Sequence, residues 1–259
     1  MNPVALRFRE LQQTDRKAFI PYIMGGDPDL PSLPRILETL VANGADLIEI
    51  GVPFSDPLAD GPVIQAAGLR ARQNGCTLTK LLATIKAVAP TLPVPLLLMI
   101  YYNQLFRRGT ARFLEEIKAA GVAGLIIPDL PPEAALELRG LAANFRIGLN
   151  FLAAPTSTEQ RIRLAAEAST GFLYTVSLKG VTGTRHRLPP ELPAFTERVK
   201  SLSPRPVAVG FGITTPEQAR MVARLADGVI VGSALVQTIA ADPGLIKMAS
   251  LARALRKAI

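Results

Sequence analysis

The sequence predicts an α/β fold, in which a single (β/α)8 TIM barrel occupies residues 1–259 and carries an extra N-terminal helix. Short apolar stretches alternate with helical stretches eight times, at the spacing that this barrel requires. The apolar stretches are nearly continuous, which is typical of parallel strands that are buried on both faces. A length of 259 residues is also typical of one such barrel.

Each predicted strand is a short apolar run that is bounded by glycine, proline or polar residues. The second run is apolar except for Asp46 and Glu49, and Pro93 and Pro95 introduce the third. A glycine precedes runs two, four and eight, and this weak internal sequence similarity supports a repeated unit. The strands are predicted over residues 18–24, 45–50, 94–101, 124–127, 146–152, 172–176, 207–209 and 228–231.

The predicted helices fill the intervals between the strands, and several end at helix-stop signals. Asn43-Gly44 closes the helix after the first strand, Gly121 closes the helix after the third, and Gly75 separates two consecutive helices. The helices are predicted over residues 4–13, 33–42, 63–74, 78–89, 111–120, 133–143, 159–168, 194–202 and 216–225, and a last helical region begins at Gly232-Ser233.

An open, doubly wound sheet is the alternative arrangement for alternating strands and helices. The Gly-x-Gly-x-x-Gly motif of many such sheets is missing after the first strand, which favours the barrel. No linker or shift in composition divides the chain, so one domain over residues 1–259 is predicted.

The composition argues against several classes of function. The net charge of +8 is scattered, without Trp or aromatic-basic interleaving, so a small anionic substrate is expected rather than nucleic acid. Cys76 is the single cysteine, which permits no internal disulfide and, with one histidine, makes a zinc site improbable. Residues 1–16 do not resemble a signal peptide, and no apolar run approaches the ~20 residues of a membrane span. We therefore expect a cytoplasmic protein.

Residues 49–62 form the stretch on which the chemistry is predicted to depend. With a period of two, Glu49 shares a strand face with Leu47 and Gly51, where an apolar side chain is expected. Burial without a partner would raise its pKa and allow proton exchange near neutral pH. Three prolines stiffen the following loop, so that Asp60 can be held opposite Glu49.

Both carboxylates also have simpler interpretations. Glu49 could belong to an ion pair in the core, although no Arg or Lys lies within its strand, and Asp60 could cap the helix after Pro62. Two carboxylates that flank one loop at the mouth of a barrel favour acid–base chemistry.

Glycines after the last two strands predict a phosphate site. Residues 210–212 read Gly-Phe-Gly after strand seven, and Gly232 and Ser233 follow strand eight. Glycines let backbone N–H groups approach an anion, and the start of a helix favours negative charge. Turn glycines with an ordinary helix cap are the alternative.

The loop over residues 177–190 is predicted to be a mobile lid, because it is long and contains Gly180 and Gly183. Gly183 could add a phosphate contact. A surface loop with solvated basic residues is the alternative, and His186 is expected to face solvent.

These features together suit a phosphorylated substrate with an apolar part, which rearranges by proton transfer. The expected site has two carboxylates, a phosphate site, and apolar or aromatic walls from Tyr22, Ile64, Tyr101 and Phe211. No metal or cofactor motif accompanies them.

Motifs over most of the chain carry a resemblance to a known family. The run Pro-Phe-Ser-Asp-Pro-Leu-Ala-Asp-Gly-Pro over residues 53–62 is the most specific. The others cover residues 21–28, 49–65, 101–103, 128–131, 180–183, 209–213 and 232–234. Together they resemble the tryptophan synthase α subunit family.

The resemblance implies reversible retro-aldol cleavage of indole-3-glycerol phosphate to indole and glyceraldehyde 3-phosphate. Indole is its own electron sink, so neither a lysine imine nor a metal is required. The catalytic positions implied are Glu49 as the acid–base residue, Asp60 at the indole N–H, and Tyr174 near Glu49. The implied substrate-binding positions are Tyr22, Ile64, Tyr101, Thr182, Gly183, Phe211, Gly212, Gly232 and Ser233, and Thr182 would contact Asp60 when the lid closes.

The resemblance also implies a partner. Members of this family work beside a β subunit that carries pyridoxal phosphate and receives the indole, in an α2β2 assembly. Pro53, Asp56 and Pro57 match the loop at that interface. No cofactor or metal is expected in this chain itself.

Two positions depart from the family pattern. Most members have arginine after the lid serine, where this chain has Leu178 followed by Lys179, and this bears on lid coupling more than on chemistry. Tyr22 stands where Phe is frequent, which adds a hydroxyl to the indole pocket. Three other functions stay open: a Schiff-base aldolase that uses Lys179, a ligand-binding activator of a β subunit, and a lyase that releases indole on its own.

Overall fold

A computed structural model describes residues 1–176, 189–210 and 212–259 of the chain. Within these residues, nine strands form one sheet in which every neighbouring pair is parallel. The strands are almost entirely buried, which explains their continuous apolar runs. They are β1 (Ala18–Met24), β2 (Ile48–Gly51), β3 (Leu96–Met99), β4 (Val122–Ile126), β5 (Gly148–Leu149), β6 (Leu152–Ala153), β7 (Leu173–Val176), β8 (Val207–Gly210) and β9 (Gly228–Val231).

The sheet closes on itself through β5 and β6, which lie at its two ends and are consecutive in the chain. The Asn150 N–H donates to the Leu125 carbonyl of β4 at 3.0 Å, and the Tyr174 N–H of β7 donates to the Phe151 carbonyl at 2.9 Å. One stretch therefore pairs with strands on both sides, and it corresponds to the single strand predicted over residues 146–152. The (β/α)8 barrel is confirmed, and the doubly wound alternative is wrong.

Side chains interrupt this fifth strand of the barrel. The Phe151 N–H donates to the Ser169 hydroxyl at 3.1 Å. The Asn150 side chain accepts a bond from the Phe172 N–H at 2.9 Å. Because side chains replace part of the backbone ladder here, the strand divides into two short segments.

Twelve α-helices surround the sheet in the part of the chain that the structure describes. None of these described helices is long and apolar enough to cross a membrane. They are α1 (Pro3–Gln13), α2 (Leu33–Ala42), α3 (Pro62–Gln73), α4 (Leu78–Val88), α5 (Tyr102–Phe106), α6 (Thr110–Ala119), α7 (Leu136–Phe145), α8 (Glu159–Ala168), α9 (Leu192–Leu202), α10 (Pro216–Leu225), α11 (Ser233–Ala241) and α12 (Ile246–Ala258).

The helices differ from the prediction at two places. The five-residue helix α5 was too short to show periodicity, and it begins where the Tyr102 N–H donates to the Asp129 carboxylate at 2.8 Å. The last helical region divides into α11 and α12 around Pro243, because proline interrupts a helix. The Asp242 carboxylate then accepts a bond from the Lys247 N–H at 2.9 Å in the first turn of α12.

The predicted N-terminal helix, α1, packs against the end of the barrel at which the strands begin. Val4 is fully buried, and a Cβ atom built on Gly124 or Gly171 would approach its side chain to 3.0 Å and 2.8 Å. The glycines therefore make room for Val4. Asn2 holds the start of α1 by accepting a bond from the Ala5 N–H at 2.9 Å.

The buried carboxylate of Asp46 joins both ends of the chain to the sheet. It accepts bonds from Arg7 of α1 at 2.7 Å, from Arg16 at 3.3 Å and from Arg256 of α12 at 3.0 Å. It also accepts the N–H of Phe19 on β1 at 3.0 Å. These bonds supply hydrogen-bond partners and opposite charges for the buried Asp46 carboxylate, which lies at the start of the predicted second strand.

Candidate active site

A cavity of about 510 Å³, its solvent-open mouth included, lies where the strands of the barrel end. The position agrees with the prediction for a (β/α)8 barrel. The cavity is lined by Tyr22, Asp60, Ile64, Met99, Tyr174, Gly212, Ile213, Thr214, Ile230, Gly232 and Ser233.

Glu49 lies on β2 behind this lining, with 0% of its surface exposed. Neither of its carboxylate oxygens has a hydrogen-bond partner among the described residues, so within them it belongs to no ion pair in the core. Burial, followed by the nearby charge of Asp60, raises the pKa of Glu49 to about 8. The neighbouring acidic residue Asp46 forms the ion pairs instead.

Asp60 lies in the loop between β2 and α3 and faces the cavity. Burial raises its pKa to about 6, and a hydrogen bond from the Tyr101 side chain opposes that rise. The Tyr101 hydroxyl in turn accepts the Ala59 N–H at 3.0 Å. Gly61 is the N-cap of α3 and no side chain caps that helix, so Asp60 is not the helix cap that its sequence position allowed.

Two tyrosines adjoin the carboxylates in the same manner. Tyr22 on β1 is in register with Glu49, and its hydroxyl oxygen lies 2.0 Å from the place where a Gly51 Cβ atom would stand. The hydroxyl oxygen of Tyr174 on β7 lies 2.6 Å from the place where a Cβ atom on Gly210 of β8 would stand. Each hydroxyl therefore occupies space that a glycine leaves open. Burial and the two carboxylates raise the pKa of both tyrosines well above the ordinary value.

The predicted phosphate residues form one wall of the cavity. Gly212 has a φ of 77°, a conformation that favours glycine, and the loop that contains it follows β8. Gly232 is the N-cap of α11 and Ser233 is its first residue. Both residues line the cavity, and the first backbone N–H groups of a helix have no partner within the helix, so this position suits an anion.

The structure brings together seven of the predicted site residues as cavity lining. Glu49 and Tyr101 lie behind that lining, while Thr182, Gly183, Phe211 and the predicted lid, with Leu178, Lys179 and His186, fall outside the described residues. Met99, Ile213, Thr214 and Ile230 also line the cavity and were missed. Ile213 and Thr214 directly follow the Gly-Phe-Gly run, so extending that motif to the next helix would have found them.

No group of three or more His, Cys, Asp or Glu side chains in the described ranges could hold a metal ion. The lining also offers no lysine for an imine among the residues that the structure describes.

Three segments at this end of the barrel, two loops and the short helix α5, are joined to one another. The Gln104 side chain of α5 donates to the Pro53 carbonyl at 3.0 Å, which links α5 to the loop after β2. The bond between Tyr102 and Asp129 links α5 to the loop after β4. Large apolar residues are exposed on these segments or directly beside them, namely Leu58 at 82%, Phe106 at 66% and, at the start of α7, Leu136 at 68%. We call Leu58, Phe106 and Leu136 the apolar rim.

Comparison with known sequences gives one consistent family. The family model described as tryptophan synthase alpha chain matches residues 8–257. The chain is 46% identical to the tryptophan synthase alpha chain of Trichormus variabilis, an alignment that covers 100% of this chain and 99% of that one. It is 45% identical to that of Dehalococcoides mccartyi, with coverage of 94% and 96%.

Solved structures agree with the sequence comparison. A structure of Mycobacterium tuberculosis tryptophan synthase matches with a TM-score of 0.92 and 37% identity, and covers 100% of this chain and 98% of that chain. The tryptophan synthase subunit alpha of Legionella pneumophila matches with a TM-score of 0.91 and 35% identity, with the same coverage. The chain therefore belongs to the tryptophan synthase alpha chain family.

Proposed function

We propose that this chain cleaves indole-3-glycerol phosphate into indole and glyceraldehyde 3-phosphate, and that the indole passes to a β subunit for tryptophan synthesis. Family membership over the full length supports the reaction. The observation that carries it is the pair of carboxylates at the cavity, because Glu49 keeps its proton at neutral pH while Asp60 loses its own.

The retro-aldol reaction needs an acid that later becomes a base. Neutral Glu49 donates its proton to C3 of the indole, which places positive charge on the ring nitrogen. Ionised Glu49 then takes the proton of the side-chain hydroxyl. The electrons of that O–H bond form the aldehyde, and those of the broken carbon–carbon bond return to the ring. One carboxyl group thus serves both steps.

Asp60 is assigned to the indole N–H, where it stabilises the positive charge that develops. Its pKa of about 6 keeps it ionised at pH 7, as this role requires. Tyr101 holds the carboxylate in place through its hydrogen bond. Tyr174 is assigned to the surroundings of Glu49, since its buried hydroxyl interacts electrostatically with that residue.

The remaining cavity residues are assigned to the two ends of the substrate. Gly212, Gly232 and Ser233 would hold the phosphate through backbone N–H groups and a hydroxyl. The apolar side chains of Ile64, Met99 and Ile230, with the ring of Tyr22, would surround the indole. Thr182, Gly183 and Phe211 keep their predicted substrate contacts as part of this proposal.

We further propose that the apolar rim binds the β subunit, within an α2β2 assembly. Large exposed apolar side chains at one end of the barrel favour a protein partner. Of the predicted interface residues in the same loop as Leu58, Asp56 is exposed, Pro57 is half-buried and Pro53 is buried. Pyridoxal phosphate then belongs to the β subunit, and this chain needs no cofactor. A reducing compartment such as the cytoplasm suits the free thiol of Cys76.

The test is indole release from indole-3-glycerol phosphate by the purified chain, alone and with a β subunit. Slow release alone and strong stimulation by the β subunit are expected. Fast release alone would indicate an independent lyase, and an adduct trapped by borohydride would indicate an imine at Lys179. Substrate binding without release in either condition would leave only the activator function.

A further inference from the structure

We propose that the Tyr22 hydroxyl is a positioning group for Glu49, to which it donates a hydrogen bond whenever the Glu49 carboxylate is ionised. The proposal rests on the proposed function, because it assumes the acid–base role of Glu49. It deepens that function by naming a further residue on which the reaction depends.

The strand register places Tyr22 beside Glu49. Both residues belong to adjacent parallel strands and are paired at the same level, so their side chains enter the barrel together. Tyr22 lines the cavity and Glu49 does not. The tyrosine hydroxyl lies one pleat further toward the mouth, beside Gly51.

Neither polar group has a hydrogen-bond partner in the arrangement that the structure describes. Both Glu49 oxygens are buried and unpartnered among the described residues. The Tyr22 hydroxyl likewise forms no hydrogen bond with them, although it is close enough to Glu49 and Asp60 to interact with their charges. A neutral acid tolerates this arrangement, whereas a buried carboxylate without a donor is strongly destabilised. The proton transfer therefore requires a donor close to Glu49.

The other titratable groups that face Tyr22 are Asp60, Tyr101 and Tyr174. Asp60 is an acceptor when ionised, so it cannot stabilise a second carboxylate. Tyr101 already donates to Asp60. Tyr174 approaches Glu49 from β7, while Tyr22 is the hydroxyl on the strand beside it. The proposed bond forms when the Glu49 side chain turns toward the Tyr22 hydroxyl.

Two glycines leave the space that the Tyr22 side chain occupies. A Cβ atom on Gly51 would lie 2.0 Å from the hydroxyl oxygen, and one on Gly232 would lie 3.3 Å from Cδ1 of the ring. The first distance is an overlap, so alanine at position 51 would displace the hydroxyl. The absence of a side chain at Gly51 is therefore what lets the hydroxyl stand beside Glu49.

The test compares Tyr22→Phe with the unaltered chain by titrating Glu49 in the ligand-free protein. Infrared difference spectra report the protonated carboxyl group, and Glu49→Gln identifies its band. Loss of a donor to the charged form should raise the pKa of Glu49 by about one unit. In turnover, kcat for indole release should fall about tenfold with KM within about twofold, because the ionised state is less stable.

Two further variants separate this hydrogen bond from a packing effect. Tyr101→Phe removes a hydroxyl from the same cluster and should raise the pKa of Asp60, with a much smaller change at Glu49. Gly51→Ala keeps the tyrosine but displaces its hydroxyl, so it should reproduce the Glu49 shift. The double variant Gly51→Ala with Tyr22→Phe should then shift the pKa no further than Tyr22→Phe alone.

An unchanged Glu49 titration in Tyr22→Phe would overturn the proposal, as would additive shifts in the double variant. Failure of the proposed function would give a different result, because the unaltered chain would then release no indole. In that case the titration still decides whether the Tyr22 bond exists, and its catalytic importance falls with the proposed function.

Discussion

Glu49 and Asp60 face the same barrel interior but have different electrostatic surroundings. Burial raises the pKa of both groups, to about 8 for Glu49 and to about 6 for Asp60. Asp60 starts from the lower ordinary value of 3.8, against 4.5 for Glu49, and the hydrogen bond of Tyr101 opposes the rise in its pKa. No described residue donates to Glu49, and the nearby charge of Asp60 raises the pKa of Glu49 further. At pH 7 a neutral acid and a carboxylate can therefore coexist in one cavity, as acid–base chemistry requires.

Cleavage should depend on pH in a bell-shaped manner. The rate should increase as Asp60 loses its proton near pH 6, and decrease above about pH 8 as Glu49 loses the proton that it must donate. The two apparent pKa values belong to the interacting pair. The measurement is kcat/KM for indole release between about pH 5 and about pH 9.5. Tyr101→Phe should move the acidic limb to higher pH, and a flat profile would contradict the assignment.

Glu49→Gln should reduce kcat by about 10²–10⁴-fold while making the protein more stable. Folded Glu49 keeps its proton up to a pKa of about 8, whereas the unfolded chain loses it near 4.5. The folded state is therefore destabilised progressively as pH rises through this window, and fully so above it. At pH 8.5 the variant should gain about 1–3 kcal/mol in the free energy of unfolding, and near pH 4 it should gain almost nothing.

Urea unfolding at the two pH values measures that difference. The exposed residue Glu38 on α2 provides a matched control, because Glu38→Gln makes the same chemical change without burial. Its effect should stay within about 0.5 kcal/mol at both pH values. Equal effects of the two variants would show that the buried, ionised Glu49 carboxylate does not destabilise the folded protein.

At the scale of elements, the Asp46 cluster determines how the terminal helices attach to the barrel. Asp46→Asn keeps the side-chain volume but removes the charge that Arg7, Arg16 and Arg256 share. The free energy of unfolding should fall by about 2–4 kcal/mol, because the arginines lose a buried partner. Indole release per folded molecule should be unchanged, since Asp46 precedes β2 and the cavity lies where the strand ends.

Glu116→Gln is the matched control for the Asp46 variant. Glu116 pairs with Arg108 and Arg112, but these groups are partly solvated at the surface. Such a pair is worth less than about 1 kcal/mol. A loss for Asp46→Asn no larger than this would mean that the cluster does not anchor the terminal helices.

Elements that follow from local sequence were predicted well. The bounds of β1, α2 and α8 coincide with the prediction, because their apolar runs and stop signals are adjacent in the chain. The division of the fifth strand and the start of α5 depend on Ser169 and Asp129, which come from other parts of the chain. A local pattern carries no information about such partners.

The site shows the same division between local and distant information. The alternation of side chains along β2 was enough to predict that Glu49 is buried with a raised pKa. The place of the Tyr22 hydroxyl above Gly51 depends on the register of two strands, which only the folded barrel supplies. Met99 and Ile230 were missed for a related reason, since an apolar strand residue gives no sign of facing a cavity.

At the scale of the whole molecule, the apolar rim should determine binding of the β subunit. Leu58 is 82% exposed, so Leu58→Ser should leave the free energy of unfolding within about 0.5 kcal/mol of the original. Affinity for the β subunit, measured by titrating its stimulation of indole release, should fall at least about tenfold.

Met221 supplies the control for this variant. It is also apolar and exposed, but it lies on α10, which is not one of the three linked segments. Met221→Ser should leave the affinity for the β subunit unchanged. Equal losses for Leu58→Ser and Met221→Ser would place the docking surface elsewhere.

Helix α1 limits the routes by which small molecules can enter and leave the barrel. Val4 fills the space above Gly124 and Gly171, so the barrel is closed at the end where its strands begin. Substrate is therefore expected to enter, and both products to leave, through the mouth of the cavity at the opposite end of the barrel. A partner bound at the mouth of the cavity would therefore receive the departing indole directly.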